Sequence, residues 1–404
     1  MEFNTYVAGV HIPERVKGEE VRSIYQVLQG VRDGRAKRGR RYVAAVGLTI
    51  LLLAKLAGEK SLSGIAEWAR LRQGWLAEHL PLKDGRVPCA NTYRYLCEHI
   101  HLEELNAALG QYFAPAASPV AVSATGTPGA PMRTHLALDG KSLRGTRRSG
   151  CDSKMTSHVV GLYNVTAQFM WRQQTVAGKG QERRAASELI APLNLAGSVV
   201  SADALHTQPK WAQAILDRAG AYLLIAKRNQ SELREAIAVL FSQTPRPHLF
   251  PEQQAQSIDK QHGRLEVRHL RVSSELCAYL APRWPQVAQV FQVERLITRH
   301  GKTTQEFAYG LTSLPAADLP PDDLLALIRA HWHIENRVHW RRDVTLGEDA
   351  CHVTTGQVPQ VLAALNNTVL ALVDHLRLPN LAQAIRQFAA APAKALDLLL
   401  KPFA

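Results

Sequence analysis

Apolar residues recur at helical spacing over roughly the first 110 positions, then shift to short runs of strand character from position 134 onward. The apolar stretch 42–57 predicts one helix. Ser61-Leu-Ser-Gly-Ile-Ala-Glu67 predicts the start of another, with Ser61 or Ser63 as N-cap, because a side-chain oxygen there accepts from free first-turn amides. A third is expected after Pro88, with Asn91 or Thr92 capping the stretch 93–99. Short helices broken by Gly-Arg and Val-Pro describe a small helical module. Two readings of it stand: a helix-turn-helix-like DNA reader, and a bundle that only packs or dimerises.

Residues 114–132 carry no charge and consist mainly of Pro, Ala, Ser, Thr, Gly and Val, which reads as a linker. Beyond it, the run Thr134-His-Leu-Ala-Leu138 stops at Asp139-Gly140. Runs over 158–166 and 169–176 predict a hairpin. A helix (183–193), a buried strand (198–202) ending at Asp203, a helix (210–218) and a strand (221–227) follow. Three antiparallel strands with parallel β-α additions describe a ribonuclease-H-like sheet. Further strands are expected around 266–272, 289–298 and 306–311. Pro320-Pro321-Asp322-Asp323 then starts a helix to about Asp343, and a second apolar helix spans 359–378. The expected fold class is α/β: a mixed ribonuclease-H-like sheet with flanking helices and a strand-rich insertion, plus an N-terminal helical domain. The expected units are a helical domain (1–113), a linker (114–132), a core (133–228 with 321–378), the insertion (229–320) and a helical tail (379–404).

Charge adds a partner. Lys and Arg number 48 against 35 Asp and Glu, a net +13, and a polyanion such as nucleic acid is the usual reason. Five scattered cysteines without a CxxC pair support neither a zinc ribbon nor a disulfide scaffold. The apolar stretch 43–57 is short for a bilayer and contains Lys55, and no signal-peptide pattern stands at the N-terminus. No membrane partner and a cytoplasmic location are therefore expected.

Asp139 and Asp203 each stand where an apolar strand stops. A carboxylate there must reach solvent, a partner or a metal, although Asp also simply begins turns. On the expected topology the two strands are neighbours. Along 324–342, Leu324, Ile328, His331, Glu335, Val338 or His339, and Arg342 recur at three- and four-residue steps. Glu335 is thus expected to face inward at the sheet, with Trp332 and Trp340 widening the apolar side. Three converging carboxylates suit two Mg²⁺ or Mn²⁺ ions, hard cations that stabilise the attacking and leaving oxygens of phosphoryl transfer. Arg133, Lys141, Arg144, Arg147 and Arg148 flank the first acid, and Lys227 and Arg228 end the last strand. Such cations bind phosphates without reading sequence. A competing pattern is a zinc row of His331, Glu335 and His339, which leaves both aspartates unexplained. The two histidines are otherwise expected to contact DNA or pack against the tryptophans. Asp343, Glu348 and Asp349 form a further acidic group that capping or a turn explains as well as metal binding does.

The segments His135-Leu-Ala-Leu-Asp-Gly-Lys-Ser-Leu-Arg-Gly145, Val199-Val-Ser-Ala-Asp-Ala-Leu-His-Thr-Gln208, Tyr222-Leu-Leu-Ile-Ala-Lys-Arg-Asn-Gln230 and His331-Trp-His-Ile-Glu-Asn336 occur in that order. Together they resemble bacterial insertion-sequence transposases of the H-repeat-associated type. Arg38-Gly-Arg-Arg-Tyr42 and Ser61-Leu-Ser-Gly-Ile-Ala-Glu-Trp-Ala69 resemble that family's associated N-terminal domain. The resemblance implies a DDE transposase whose acids are Asp139, Asp203 and Glu335. It puts Arg342 in the place of a signature Lys on the glutamate helix, while Ile328 and His331 depart from the signature Tyr and Arg. It further implies double-stranded DNA as partner, both terminal inverted repeats and target, bound by a homodimer. Arg35, Lys37, Arg38, Arg40 and Arg41 would hold the ends. The family's Lys-Ser-Asn-Glu run reads Lys179-Gly-Gln-Glu182 here, which leaves Glu182 without a role. A catalytically retired DNA-binding protein and a nuclease without strand transfer are the alternatives.

Overall fold

The computed structural model describes residues 22–38, 40–114, 133–146, 157–176, 180–242, 252–261 and 263–402. All of the expected linker but Ala114 lies outside the described residues, as do Arg147 and Arg148. The described residues begin with six α-helices: α1 (Ile24–Gln29), α2 (Ala44–Leu56), α3 (Leu62–Leu71), α4 (Gln73–His79), α5 (Ala90–His99) and α6 (Leu102–Phe113). Ser61 caps α3, its Oγ accepting the Gly64 amide at 3.0 Å. α5 starts earlier than Asn91, with Cys89 at its N-cap position.

Among the described residues nine strands form one sheet: β1 (Thr134–Ser142), β2 (His158–Asn164), β3 (Phe169–Val176), β4 (Ser198–Ala202), β5 (Ala221–Ala226), β6 (Gln253–Gln261), β7 (Arg264–Ser273), β8 (Gln289–Arg299) and β9 (Lys302–Thr312). Their order is β3-β2-β1-β4-β5-β9-β8-β7-β6. β1 pairs antiparallel with β2 and parallel with β4, and β4 is parallel to β5. That is the ribonuclease-H-like arrangement. The insertion adds four antiparallel strands to the free edge of β5, continuing the same sheet. Its strand β6 and the preceding helix α9 (Ser231–Ser242) were not legible in the sequence. β6 reads Gln-Gln-Ala-Gln-Ser-Ile-Asp-Lys-Gln and pairs only with β7, an edge position that does not demand apolar residues.

Helices α7 (Glu182–Ile190) and α8 (Pro209–Leu216) cover one sheet face, packing on Leu136, Leu138, Val200 and Ala202. α11 (Pro321–His331) covers the other, where Leu324, Leu325 and Ile328 meet Val199 and Leu223. The short α10 (Cys277–Leu280) follows β7, and α12 (Val358–His375), α13 (Leu381–Ala390) and α14 (Pro392–Leu400) complete the described helices. Every residue of α2 is buried. A helix that is apolar all round must be covered all round, and α12, α13 and α14 help to cover it. The N-terminal helices and the C-terminal tail thus share one continuous core. Lys55 reaches that core and survives there because its Nζ donates to Asn366 Oδ1 at 2.8 Å.

Candidate active site

Side chains alternate along a strand, so His135, Ala137 and Asp139 share one face of β1 while Leu136 and Leu138 point the other way. On β4, Val199 and Ser201 share a face and Asp203 continues their parity. Leu138 lies beside Ala202 in the parallel ladder. Asp139 and Asp203 therefore stand side by side where the β1–β4 ladder ends, on the face covered by α11, although β1 does not stop at Asp139 as expected but runs on to Ser142 in its pairing with β2. Asp139 Oδ1 accepts the Gly140 amide at 2.8 Å. Asp203 caps the helical turn Ala204–His206, its Oδ1 accepting the Leu205 amide at 3.0 Å. The turn-forming role of Asp203 and its placement at the strand end hold together.

The glutamate helix departs from expectation. Regular α-helix ends at His331, and two π-helical stretches follow, Ile334–His339 and Arg341–Thr345. A wider turn delays the return of each face. The buried positions become Ile334, Val338 and Arg342, and Glu335 is exposed rather than inward. Trp332 and Trp340, expected on the apolar side, are also exposed. The π turns nonetheless pack on β1, close enough for the Glu335 charge to act on Asp139.

The surroundings of Asp139 work against its charge. Burial pushes its carboxyl up to about 7; the Gly140 amide opposes this, and the charges of Asp203, Glu335 and Glu182 add to it. His339 Nδ1 stands 3.4 Å from Asp139 Oδ2. Burial holds that imidazole well below its usual range, with Arg342, Lys141 and His158 adding to the effect, so it is neutral. Two residues beyond Asp139, the Lys141 ammonium donates to both oxygens of Asp343 at 2.6 Å. Glu182, for which the sequence suggested no role, lies buried at the start of α7 with Oε1 2.6 Å from His158 Nε2. A Cβ on Gly140 would come within 2.9 Å of both Glu182 Oε2 and His158 Nε2. Any side chain at position 140 would have to push that buried pair aside. Nothing local in Lys179-Gly-Gln-Glu182 signals this, because the approach is made across the sheet.

The zinc row dissolves on the same geometry. His331 is buried against Ser201, His339 faces Asp139, and Glu335 is exposed. Neither His331 nor His339 stands free for DNA. Among the described residues no group of three or more His, Cys, Asp or Glu is close enough to hold a metal ion as it stands. The acid set itself suits a hard divalent cation: it is all oxygen, and burial and crowding have raised Asp139 against ionisation, a strain that a bound cation relieves.

The expected DNA-contacting residues divide into two groups. Lys227 and Arg228 are exposed just after β5, on the edge where Asp139 and Asp203 emerge, and Arg144 is exposed beyond β1. Lys37, Arg38, Arg40 and Arg41 are exposed as well. Arg38, Arg40 and Arg41 line a cleft of about 890 Å³ together with Arg70, Arg86 and Tyr95; the periodicity of the chain gave no sign of the last three. Three other expectations are corrected. Lys141 is buried with its ammonium held by Asp343, so it ties β1 to the π turns instead of facing DNA. Arg35 is buried, its guanidinium held by Asp33 and donating to the Tyr42 carbonyl at 2.8 Å, so it shapes the loop before α2. Arg342 is 1% exposed, paired with Glu348 at 2.7 Å and donating to Asn367, so the residue expected to contact DNA lies in the core. Arg133 precedes β1 at the end opposite Asp139 and pairs with Asp318. In the later acidic group, Asp343 holds Lys141, Glu348 holds Arg342, and Asp349 accepts the Arg144 amide, so ion pairing and capping account for all three.

No helix among the described residues is long and apolar enough to cross a membrane. Residues 130–372 match the family model described as Transposase DDE domain, and residues 25–113 match one described as DDE_Tnp_1-associated. The chain is 28% identical over 267 residues to an uncharacterized protein in the dhlA 3′ region of Xanthobacter autotrophicus, a match covering 66% of this chain and 85% of that protein. It is 29% identical over 253 residues to the H repeat-associated putative transposase YhhI of Escherichia coli K12, covering 59% of this chain and 64% of YhhI. The putative transposase YncI of Escherichia coli O157:H7 is 27% identical over 247 residues, 59% of this chain and 61% of YncI. The matches thus span under two thirds of those two Escherichia coli proteins. Among solved structures, the piggyBac transposase synaptic complex with hairpin DNA aligns with a TM-score of 0.44 and 9% identity, over 92% of this chain and 75% of that one. With the family model matched over more than half its length, this chain belongs to the transposases of the DDE-domain family.

Proposed function

We propose that the protein cleaves DNA at the ends of its element and joins a freed 3′-hydroxyl to target DNA, with Asp139, Asp203 and Glu335 as the acids that hold two Mg²⁺ or Mn²⁺ ions. The observation that carries this reading is the emergence of Asp139 and Asp203 on one face where the β1–β4 ladder ends, with the Glu335 charge acting on Asp139. When bound, the ions supply Lewis-acid stabilisation of the attacking and leaving oxygens. Asp139 and Asp203 fix donor oxygens from the rigid sheet, and Glu335 adds one from the π turns above. Neutral His339 shields Asp139 without competing as a second cation. Lys227, Arg228 and Arg144 hold phosphates on the site's rim. Lys37, Arg38, Arg40 and Arg41, joined by Arg70 and Arg86, hold DNA away from the acids, and the protein acts as a homodimer on terminal inverted repeats and target.

Strand cleavage of end-containing DNA in Mg²⁺ is the test. Asp139→Ala, Asp203→Ala and Glu335→Ala should each lower cleavage by several hundred-fold or more, on the order of one lost transition-state contact. Wild-type cleavage in any of the three removes that residue from the site. Analysis of products for joined DNA separates a transposase from a simple nuclease, and DNA binding without cleavage identifies a retired enzyme.

A further inference from the structure

Behind the two aspartates lies a buried hydrogen-bonded knot. Ser201 Oγ stands 2.7 Å from His135 Nε2 and 2.9 Å from His331 Nδ1. All three side chains are buried. A serine hydroxyl has one proton to give and two lone pairs, and Oγ also stands 3.4 Å from the Leu136 carbonyl, so it bridges the two rings and accepts from at least one of them.

Each member comes from a different element, and each of those elements carries one of the acids or leads directly into it. His135 precedes Asp139 by four residues on β1, Ser201 on β4 precedes Asp203 by two, and His331 precedes Glu335 by four. Even spacing on a strand keeps side chains on one face. The knot and both aspartates therefore share the face on which α11 rests, and α11 packs on both β1 and β4. The two strands are already joined by their ladder. The joint in need of a lock is between helix and sheet. His331 is the last residue of α11 before the π turns begin, so an unbroken α-helical ladder does not carry Glu335 into place. The Ser201–His331 bond anchors the helix at the residue where its regular geometry ends.

We infer that His135, Ser201 and His331 are positioning residues of the acid site, setting the height and rotation of the glutamate helix over the ends of β1 and β4. This rests on the reading of Asp139, Asp203 and Glu335 as the working acids. None of the three touches DNA or the reacting atoms. They act through the spacing of the carboxylates.

The full chain is compared as wild type, Ser201→Ala, His331→Leu and His331→Asn, whose amide reaches the place of Nδ1; Asp139→Ala is the control. Two quantities are read: the nicking rate on end-containing DNA, and the Mg²⁺ concentration that half-saturates the thermal shift of the DNA-free protein, which requires no turnover. Ser201→Ala and His331→Leu should nick at least about tenfold more slowly and need about tenfold more Mg²⁺, while His331→Asn stays within about threefold of wild type on both. A Ser201→Ala protein that melts earlier yet keeps the wild-type rate and Mg²⁺ midpoint overturns the proposal, because the knot is then only core packing. Equal losses in His331→Asn and His331→Leu overturn it too, since the hydrogen bond would not be what matters. If Asp139→Ala nicks like wild type, the acid site fails and takes the knot's role with it. Loss in Asp139→Ala with wild-type behaviour in Ser201→Ala sinks the knot alone.

Discussion

Replacing Asp139 by asparagine removes the charge that the site most resists while keeping the acceptor for the Gly140 amide. In the wild type the Asp139 carboxyl, ordinarily near 3.8, is carried up to about 7, chiefly by burial and then by the neighbouring Asp203, Glu335 and Glu182. Between those two values the native state holds a proton that the unfolded chain has released. Stability therefore falls as pH rises through that window, by about 1.4 kcal/mol per pH unit. The full span would sum to about 4 kcal/mol. The side chain is 29% exposed, so solvent screening reduces this to about 2 kcal/mol. The asparagine variant carries no such proton, and its stability should lack this component. Urea denaturation in EDTA at pH 4.5, 6 and 8 reads the difference directly, since every other titrating group is common to both proteins. Asp139→Asn should match wild type near pH 4.5 and exceed it by about 2 kcal/mol at pH 8. Saturating Mg²⁺ should reverse the order, because wild type then gains about 2.7 kcal/mol at a hundredfold excess over its Kd. A variant no more stable than wild type at pH 8 in EDTA would refute the burial that works against the Asp139 charge.

Three other outcomes follow from the same geometry. Arg342→Ala strands Glu348 in the core and should cost about 3–5 kcal/mol in chemical denaturation, while DNA affinity of the folded protein stays at wild type; a weakened affinity would return Arg342 to the DNA surface. Arg70→Ala combined with Arg86→Ala should make the log–log salt dependence of DNA binding shallower by about 2, without Mg²⁺, and an unchanged slope excludes the N-terminal cleft from the interface. Gly140→Ala should destabilise by about 1–3 kcal/mol through its clash with Glu182 and His158, and adding Glu182→Ala should restore part of that loss in the melting curve.

Local pattern was enough for β1, β4, β5, the hairpin of β2 and β3, and the start of α3. In each, apolar run length or a capping serine decides the structure within a few residues. The same logic put Asp203 at the end of β4, while β1 ran past Asp139 to Ser142 because β2 goes on pairing with it; the parallel β1–β4 ladder is what brings the two acids together. The second half of the glutamate helix escaped that logic. A constant α-helical period carries Glu335 and Arg342 along one inward face, but the π turns change the period, so Arg342 stays inside, paired with Glu348, while Glu335 is exposed. Arg35 misled for a related reason: a guanidinium in a basic run looks like a phosphate contact until the fold brings Asp33 and the Tyr42 carbonyl to it. Glu182 and the His135–Ser201–His331 knot lay beyond reach altogether, because their partners lie on other strands and helices. Periodicity records which face a residue takes within its own element; which charges that face meets depends on how elements pack, and only the assembled sheet and helices specify it.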